Sequence, residues 1–191
     1  MVNFFQQSKK SGEDFDLVHD IGPGRHFYQF YKSGEDLFKV LLPFWRAGVE
    51  KGDFCFWAVP NFITLSSVRA RLMEVTPDLD NLISKGSFEM VRHQDWYGNG
   101  ETFDGDMVME KYRRKIESAI QRGFSLVRIA GDISGFKSHL WPAVREYEKK
   151  AHSYIETLPC VVICSYPLHE LKLQQTKDVL DCHHDVLVAK V

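Results

Sequence analysis

The segment "CHH" sets the thiol of Cys182 beside the imidazoles of His183 and His184, and "CVVIC" adds Cys160 and Cys164. Thiolate and imidazole are the donors of zinc sites. Cys160 and Cys164, four apart on a strand, share one side of it but stand ~13 Å apart at strand rise, too far for one metal. Cys182 and His183 could still join Cys164 or His26. The ligand spacing is irregular, however, and no CxxC pair is present. Buried free cysteines and hydrogen-bonded histidines are common, so neither a metal nor another cofactor is expected.

Two further groups could bind or react. In "AGDIS", Asp132 ends an apolar run, where an acid holding Mg²⁺ would stand beside a nucleotide. A turn or cap carboxylate gives the same pattern. In "DWYGNG", Trp96 and Tyr97 sit in a glycine-flanked segment, read as a loop whose aromatics either fold over the core or line a ligand cavity. A lid closing on an apolar ligand fits that composition.

The stretch "DFCFWAVPNFITLSSVRARL" reads as strand, turn and helix, the unit on which phosphate loops are built. A phosphate loop needs glycines whose N–H groups converge and a lysine for the β/γ oxygens. Here the turn supplies Pro60, Phe62 and Ile63 instead. "CSYP" lacks the glycines of a nucleophile elbow, and Glu146 and Glu148, two apart on a helix, face different ways. No catalytic pair emerges, and the chain is not expected to be an enzyme.

These residues must be held by a frame, and composition bounds it. With 191 residues, 44% hydrophobic and 26% charged, the chain suits one globular domain. A net charge of −2 gives no bulk reason for nucleic-acid or membrane binding. No apolar run reaches the ~20 residues of a membrane helix, and the first residues lack a signal-peptide core. Reduced thiols and a cytoplasmic location are expected. Residues 1–18 read as a polar tail and 19–191 as a single domain.

Apolar runs alternate with helical patterns from His26 onward. Strands are expected over His26–Tyr31, Asp53–Pro60, Ser87–His93, Phe124–Asp132, Cys160–Tyr166 and Asp185–Val191. The first helix starts at Ser33, its N-cap, and stops at Gly52, with Pro43 predicting a kink or break. Others are expected over Thr64–Met73, from about Asp104 to Gly123, across "GFKSHLWPAVREYEKKAHSYIETL" and through "ELKLQQTKDVLDC". In the third, Met107, Val108, Tyr112, Ile116, Ala119 and Ile120 should face inward. Six strands and five helices predict a three-layer α/β/α sandwich with a mostly parallel sheet. Ligands then bind outside the carboxyl ends of the strands, which directs attention to residues 60–65, 93–103, 130–136 and 165–169.

Several segments, in order, resemble the MEDS (methanogen/methylotroph DcmR sensory) family. They are "HFYQFYKSGEDLFKVLLPFWRAGVEKGDFCFWAV", "DWYGNGETFD", "GFSLVRIAGD", "REYE", "VVICSYPL" and "VLDCHHDVL". The resemblance runs from about His26 to Val191. It implies a sensory module on a RecA/KaiC-like fold without a phosphate loop, attached to histidine kinases or DNA-binding regulators and detecting small hydrocarbon derivatives. The family pattern falls on His26, Tyr31, Trp57, Trp96, Tyr97, Phe103, Arg128, Gly131, Asp132, Glu148, Cys164, Tyr166 and His183. The chain departs from it after the Gly-Asp, with "ISGF" in place of an aromatic pair.

The expected function is a non-enzymatic sensor of a small, mostly apolar organic molecule. Trp57, Trp96, Tyr97 and Tyr166 would give contact surface, and Arg128, Asp132 or His183 would orient the ligand. A kinase or regulator, in trans or outside this chain, would read the change, and a homo-oligomer is compatible with it. A RecA-like protein–protein scaffold and a residual nucleotide-binding domain are the alternatives.

Overall fold

The structure, a computed structural model, describes residues 20–183 and 185–187. The expected polar tail and most of the closing strand's end lie outside the described residues, as does His184. The strands are β1 (Arg25–Tyr31), β2 (Phe54–Val59), β3 (Phe88–Arg92), β4 (Val127–Asp132), β5 (Cys160–Pro167) and β6 (Asp185–Val186). They form one sheet in the order β3-β2-β4-β5-β1-β6, with every pairing parallel. The helices are α1 (Gly34–Lys51), α2 (Leu65–Met73), α3 (Leu79–Ser84), α4 (His93–Tyr97), α5 (Gly105–Gln121), α6 (Trp141–Ile155) and α7 (Leu173–Asp181).

Strands β2 and β4 are buried throughout, as central parallel strands covered on both faces must be. Their pleat sends alternate residues to opposite layers. Trp57, Val59, Ala130, Val161 and Ile163 meet α1 and α2 in one core. Phe54, Phe56, Val127, Ile129, Cys160 and Val162 meet α5 and α6 in the other. This is the expected three-layer sandwich, built on a parallel sheet.

Helix α1 begins where Ser33 accepts from the Asp36 N–H at 3.2 Å and ends at Gly52, whose φ of 72° is left-handed. It runs unbroken through Pro43: the buried face of Leu37, Leu41, Phe44, Trp45 and Gly48 outweighs the one hydrogen bond that proline removes. Two short helices escape the sequence pattern. α3 has six residues, too few to show periodicity, and α4 occupies a segment expected to be loop. In α5, Val108, Ile116 and Ala119 are buried as expected, but Met107 and Ile120 are exposed. The stripe through 108, 112, 116 and 119 follows the helical period, and positions 107 and 120 fall at its edges.

The charge buried in the α1 layer is Arg128. Its Nε donates to Asp53 Oδ2 at 2.8 Å and its Nη1 to the Phe44 carbonyl at 3.3 Å. Gly48 makes room for it, since a Cβ there would lie 2.6 Å from Arg128 Cδ. Removing one partner of such a pair takes away the nearby opposite charge of a group shut off from water. Asp53→Ala should therefore cost ~3–5 kcal/mol in urea denaturation. Breaking the exposed Arg46–Glu50 pair (2.8 Å) by Arg46→Ala should cost under ~1 kcal/mol.

Candidate functional site

The pleat that builds the second core also turns polar side chains into it. On β1, Phe27 and Tyr31 face the α1 layer, so His26 and Tyr28 face the other. On β5 the same alternation aims Cys164 and Tyr166 toward α6 and α7. The register sets His26 opposite Val162 and Tyr28 opposite Cys164, which brings His26 and Cys164 close together. Above them, α6 buries Val144, Glu148, Ala151 and Ile155, a helical stripe in which one position is a carboxylate. His183, just past the Cys182 C-cap of α7, completes the group.

The polar atoms converge. His26 Nε2 lies 3.2 Å from Cys164 Sγ and 3.5 Å from Glu148 Oε2. Cys164 Sγ stands 3.7 Å from Glu148 Oε2 and can donate to it, and His183 Nε2 lies 3.7 Å from the same oxygen. The Tyr166 hydroxyl is 3.4 Å from His183 Nε2. On the far side of that ring, Nδ1 donates to the Val179 carbonyl at 2.7 Å. Burial pushes Glu148 up to about 7, with Tyr166 and Cys164 partly offsetting it, and drives the Cys164 thiol well above its usual range.

Beside this cluster lies a cavity of about 40 Å³ between the sheet and helices α5 and α6. His26, Glu148 and Cys164 form its polar end. The walls are apolar or aromatic: Ile129 and Val162 from the sheet, Ile116 and Tyr112 from α5, Tyr147 and Ala151 from α6. Phe103 and Phe136 close it near the carboxyl edge, packed at 4.8 Å between ring centres. Their two loops are tied by the Lys137–Glu101 ion pair at 2.6 Å. The Tyr97 and Tyr112 hydroxyls, 2.6 Å apart, hydrogen-bond across the wall. Gly131 is what leaves space there, because a Cβ would sit 2.4 Å from the Tyr97 hydroxyl.

The structure distributes the seven residues expected to bind ligand. Tyr97 and Asp132 line the cavity. Tyr166 and His183 stand behind it, in the polar cluster. Trp96 folds over the core instead, its ring 4.5 Å from that of Phe56. Trp57 packs in the opposite layer against Trp45 at 5.7 Å, and Arg128 belongs to the Asp53 pair of that same layer. This cavity lies under α5 and α6, and a second pocket, lined by Ile133, Phe136, Trp141, Glu170 and Leu171, lies among the expected strand-end loops. Glu148 is the member that pairwise reading of the two glutamates passed over. Its signal was a carboxylate on the apolar stripe of α6.

A family model described as MEDS, the methanogen/methylotroph, DcmR sensory domain, matches residues 25–184. The chain belongs to the MEDS family. Its role is thus sensory in the general sense that the family description gives. The MEDS domain is similar in fold to the crystal structure of the flagellar accessory protein FlaH from Methanocaldococcus jannaschii. That likeness has a TM-score of 0.56 and 8% identity, and covers 93% of this chain and 77% of that one. It supports a RecA-like fold and nothing finer. No curated protein matches the MEDS chain by sequence. No helix among the described residues is long and apolar enough to cross a membrane.

Asp132 gives the site a measurable pH dependence. Its Oδ1 accepts from the Ser134 N–H at 2.7 Å and from the Ser134 hydroxyl. Burial nevertheless pushes the carboxyl up to about 6, with the Ser134 and Tyr31 contacts partly offsetting it. A carboxyl raised in the folded state favours folding while protonated. Its contribution is complete below the unfolded pKa of ~3.9 and is lost as pH rises through 6. Between pH 4 and 7 the wild type should lose up to ~3 kcal/mol relative to Asp132→Asn, at ~1.4 kcal/mol per unit. Urea denaturation of both proteins across that range measures the difference.

Proposed function

We propose that this MEDS domain is a non-enzymatic sensor whose cavity under α5 and α6 takes a small, mostly apolar organic molecule. The observation that carries the reading is the cavity itself. It holds about 40 Å³, walled by aliphatic and aromatic side chains with a polar group at one end. A cavity needs ~10–15 Å³ of such space to hold one water, so this one suits a molecule of a few heavy atoms. Hydrocarbon derivatives carrying one amine, thiol or halogen match both the size and the polarity.

The phosphate-binding positions argue in the same direction. The N-terminus of α2 is capped by its own Thr64, which accepts from the Ser67 N–H at 3.1 Å. The first turn of α1 carries Glu35 and Asp36, which repel an anion from that helix end. The 98–104 and 133–137 loops over the cavity are the segments through which occupancy would be read. A ligand that prefers the closed arrangement of Phe103 on Phe136 shifts the population of that surface. The reader in this proposal is a histidine kinase or a transcription regulator.

A thermal-shift screen of methylamines, small thiols and halocarbons tests the reading. A ligand at 100-fold its Kd stabilises by ~2.7 kcal/mol, which for a chain of this size raises Tm by ~5–10 °C. At least one probe class should do so. Gly131→Val should abolish the shift, since its side chain enters the space before the Tyr97 hydroxyl. Ala151→Leu, filling the α6 wall, should do the same should the strand variant fold poorly. No shift from any probe in the folded wild type overturns the proposal, and a clear heat of binding with Mg-ATP replaces it with nucleotide binding.

A further inference from the structure

Four side chains from four separate elements place one donor atom each in a single buried spot. They are His26 of β1, Glu148 of α6, Cys164 of β5 and His183 after α7, and their donor atoms all lie within 4.8 Å of one another. Three of the edges meeting there measure 3.2, 3.5 and 3.7 Å, and the edge from His183 to Glu148 is 3.7 Å. A tetrahedral zinc site, with Zn–S near 2.3 Å and Zn–N or Zn–O near 2.0–2.1 Å, has ligand–ligand edges of ~3.3–3.6 Å. Four of the six edges thus lie near those of a coordination shell, and the remaining two are within 4.8 Å.

Orientation and charge agree with the distances. A backbone carbonyl only accepts, so the His183 Nδ1 facing Val179 at 2.7 Å must carry the proton. In the neutral ring this leaves the Nε2 lone pair aimed at the cluster, the arrangement by which a supporting hydrogen bond fixes a metal-binding histidine. The Tyr166 hydroxyl, 3.4 Å from His183 Nε2, is a further polar neighbour at the site. One thiolate, one carboxylate and two neutral imidazoles carry −2, so a divalent cation makes the buried group neutral overall. That matters because an uncompensated charge in such a place is costly.

We propose that His26, Glu148, Cys164 and His183 form a divalent metal site, for zinc in the first instance, at the polar end of the cavity. The mixed S, N and O donors suit a borderline cation and not magnesium or calcium, which take oxygen ligands. The proposal does not depend on what the cavity binds. Three of the four ligand residues border that cavity, so the ion would stand at its wall.

The test is metal binding by the whole chain, with no organic probe present. Apo protein titrated with Zn²⁺ should take up one equivalent per chain. Co²⁺ in its place should give visible bands of tetrahedral intensity and a thiolate charge-transfer band in the near ultraviolet. Cys164→Ser should lose the charge-transfer band, and His26→Ala or His183→Ala should weaken binding by more than the ~10–100-fold typical of supporting residues. Cys160→Ser, which alters a buried thiol outside the cluster, should bind metal as the wild type does. Far-ultraviolet circular dichroism checks that each variant is folded. Sub-stoichiometric uptake by the folded wild type overturns the proposal. So does a charge-transfer band that survives in Cys164→Ser, or equal affinity in folded histidine variants. A null thermal-shift screen with normal zinc uptake removes the cavity reading alone.

Discussion

Burial of β4 and β5 on both faces is the constraint from which the molecule follows. A parallel strand between two helical layers has no wet side, so each residue must suit the layer its pleat assigns. On the α1 side the strands supply Ala130, Val161 and Ile163 together with Arg128, which pairs with Asp53. On the α6 side the apolar run of Val127, Ile129, Cys160 and Val162 gives way toward the carboxyl ends to Gly131, Cys164 and Tyr166. A slip of one residue would put Cys164 and Tyr166 under α1 and dissolve both cavity and cluster. Register therefore specifies the site as much as the fold.

Much of the fold was legible because its signals are local. The strands were foreseen from composition, β2 and β5 most clearly as apolar runs, the sixth being described only over Asp185–Val186, and α1 was bounded by Ser33 and Gly52 through their capping chemistry. What escaped was short or decided by distant packing. Helices α3 and α4 span six and five residues, below the length at which a 3.6-residue period declares itself. Pro43 was read by its local cost, whereas the buried face of α1 settled the outcome. The site was less legible still. Cys164, His26 and His183 were each noticed as donors, but their meeting depends on β1 lying beside β5 and on α7 returning the chain to that edge. No spacing rule connects positions 26, 148, 164 and 183.

The places where a phosphate loop would need glycines and a lysine hold other residues. The β2–α2 turn keeps the strand–turn–helix geometry, but Pro60, Phe62 and Ile63 occupy it, and Phe62 stacks on Tyr31 at 5.8 Å. Thr64 uses the open N–H of α2 for its own cap. At the end of β4, Asp132 keeps the position of an acid that could hold Mg²⁺, yet burial favours its protonated form up to about 6 and Ser134 takes up one oxygen. A carboxylate so enclosed is poorly prepared to hold a hydrated cation, which needs exposed, ionised oxygens. The polar groups of this RecA-like frame lie in its interior, at His26, Glu148, Cys164 and His183.

An apolar cavity and a polar cluster share a wall at His26, Glu148 and Cys164. An entirely apolar pocket of this size would grip any small hydrocarbon weakly and discriminate among them by ~1–3 kcal/mol per methylene at most. A site built to pair a heteroatom rejects the analogue lacking it far more strongly, because its buried polar groups are then left without a partner. The cavity sets a polar end, formed by His26, Glu148 and Cys164, against walls that include Ile129, Tyr112 and Ala151. In the proposed sensor both modes would thus be available, through these groups or through a cation that they hold. In the proposed sensor, the apolar wall would limit what enters by size and hydration, and the polar end would select by chemistry. Selectivity for a few-atom ligand has to come from that end, since so small a molecule offers little area for anything else to recognise.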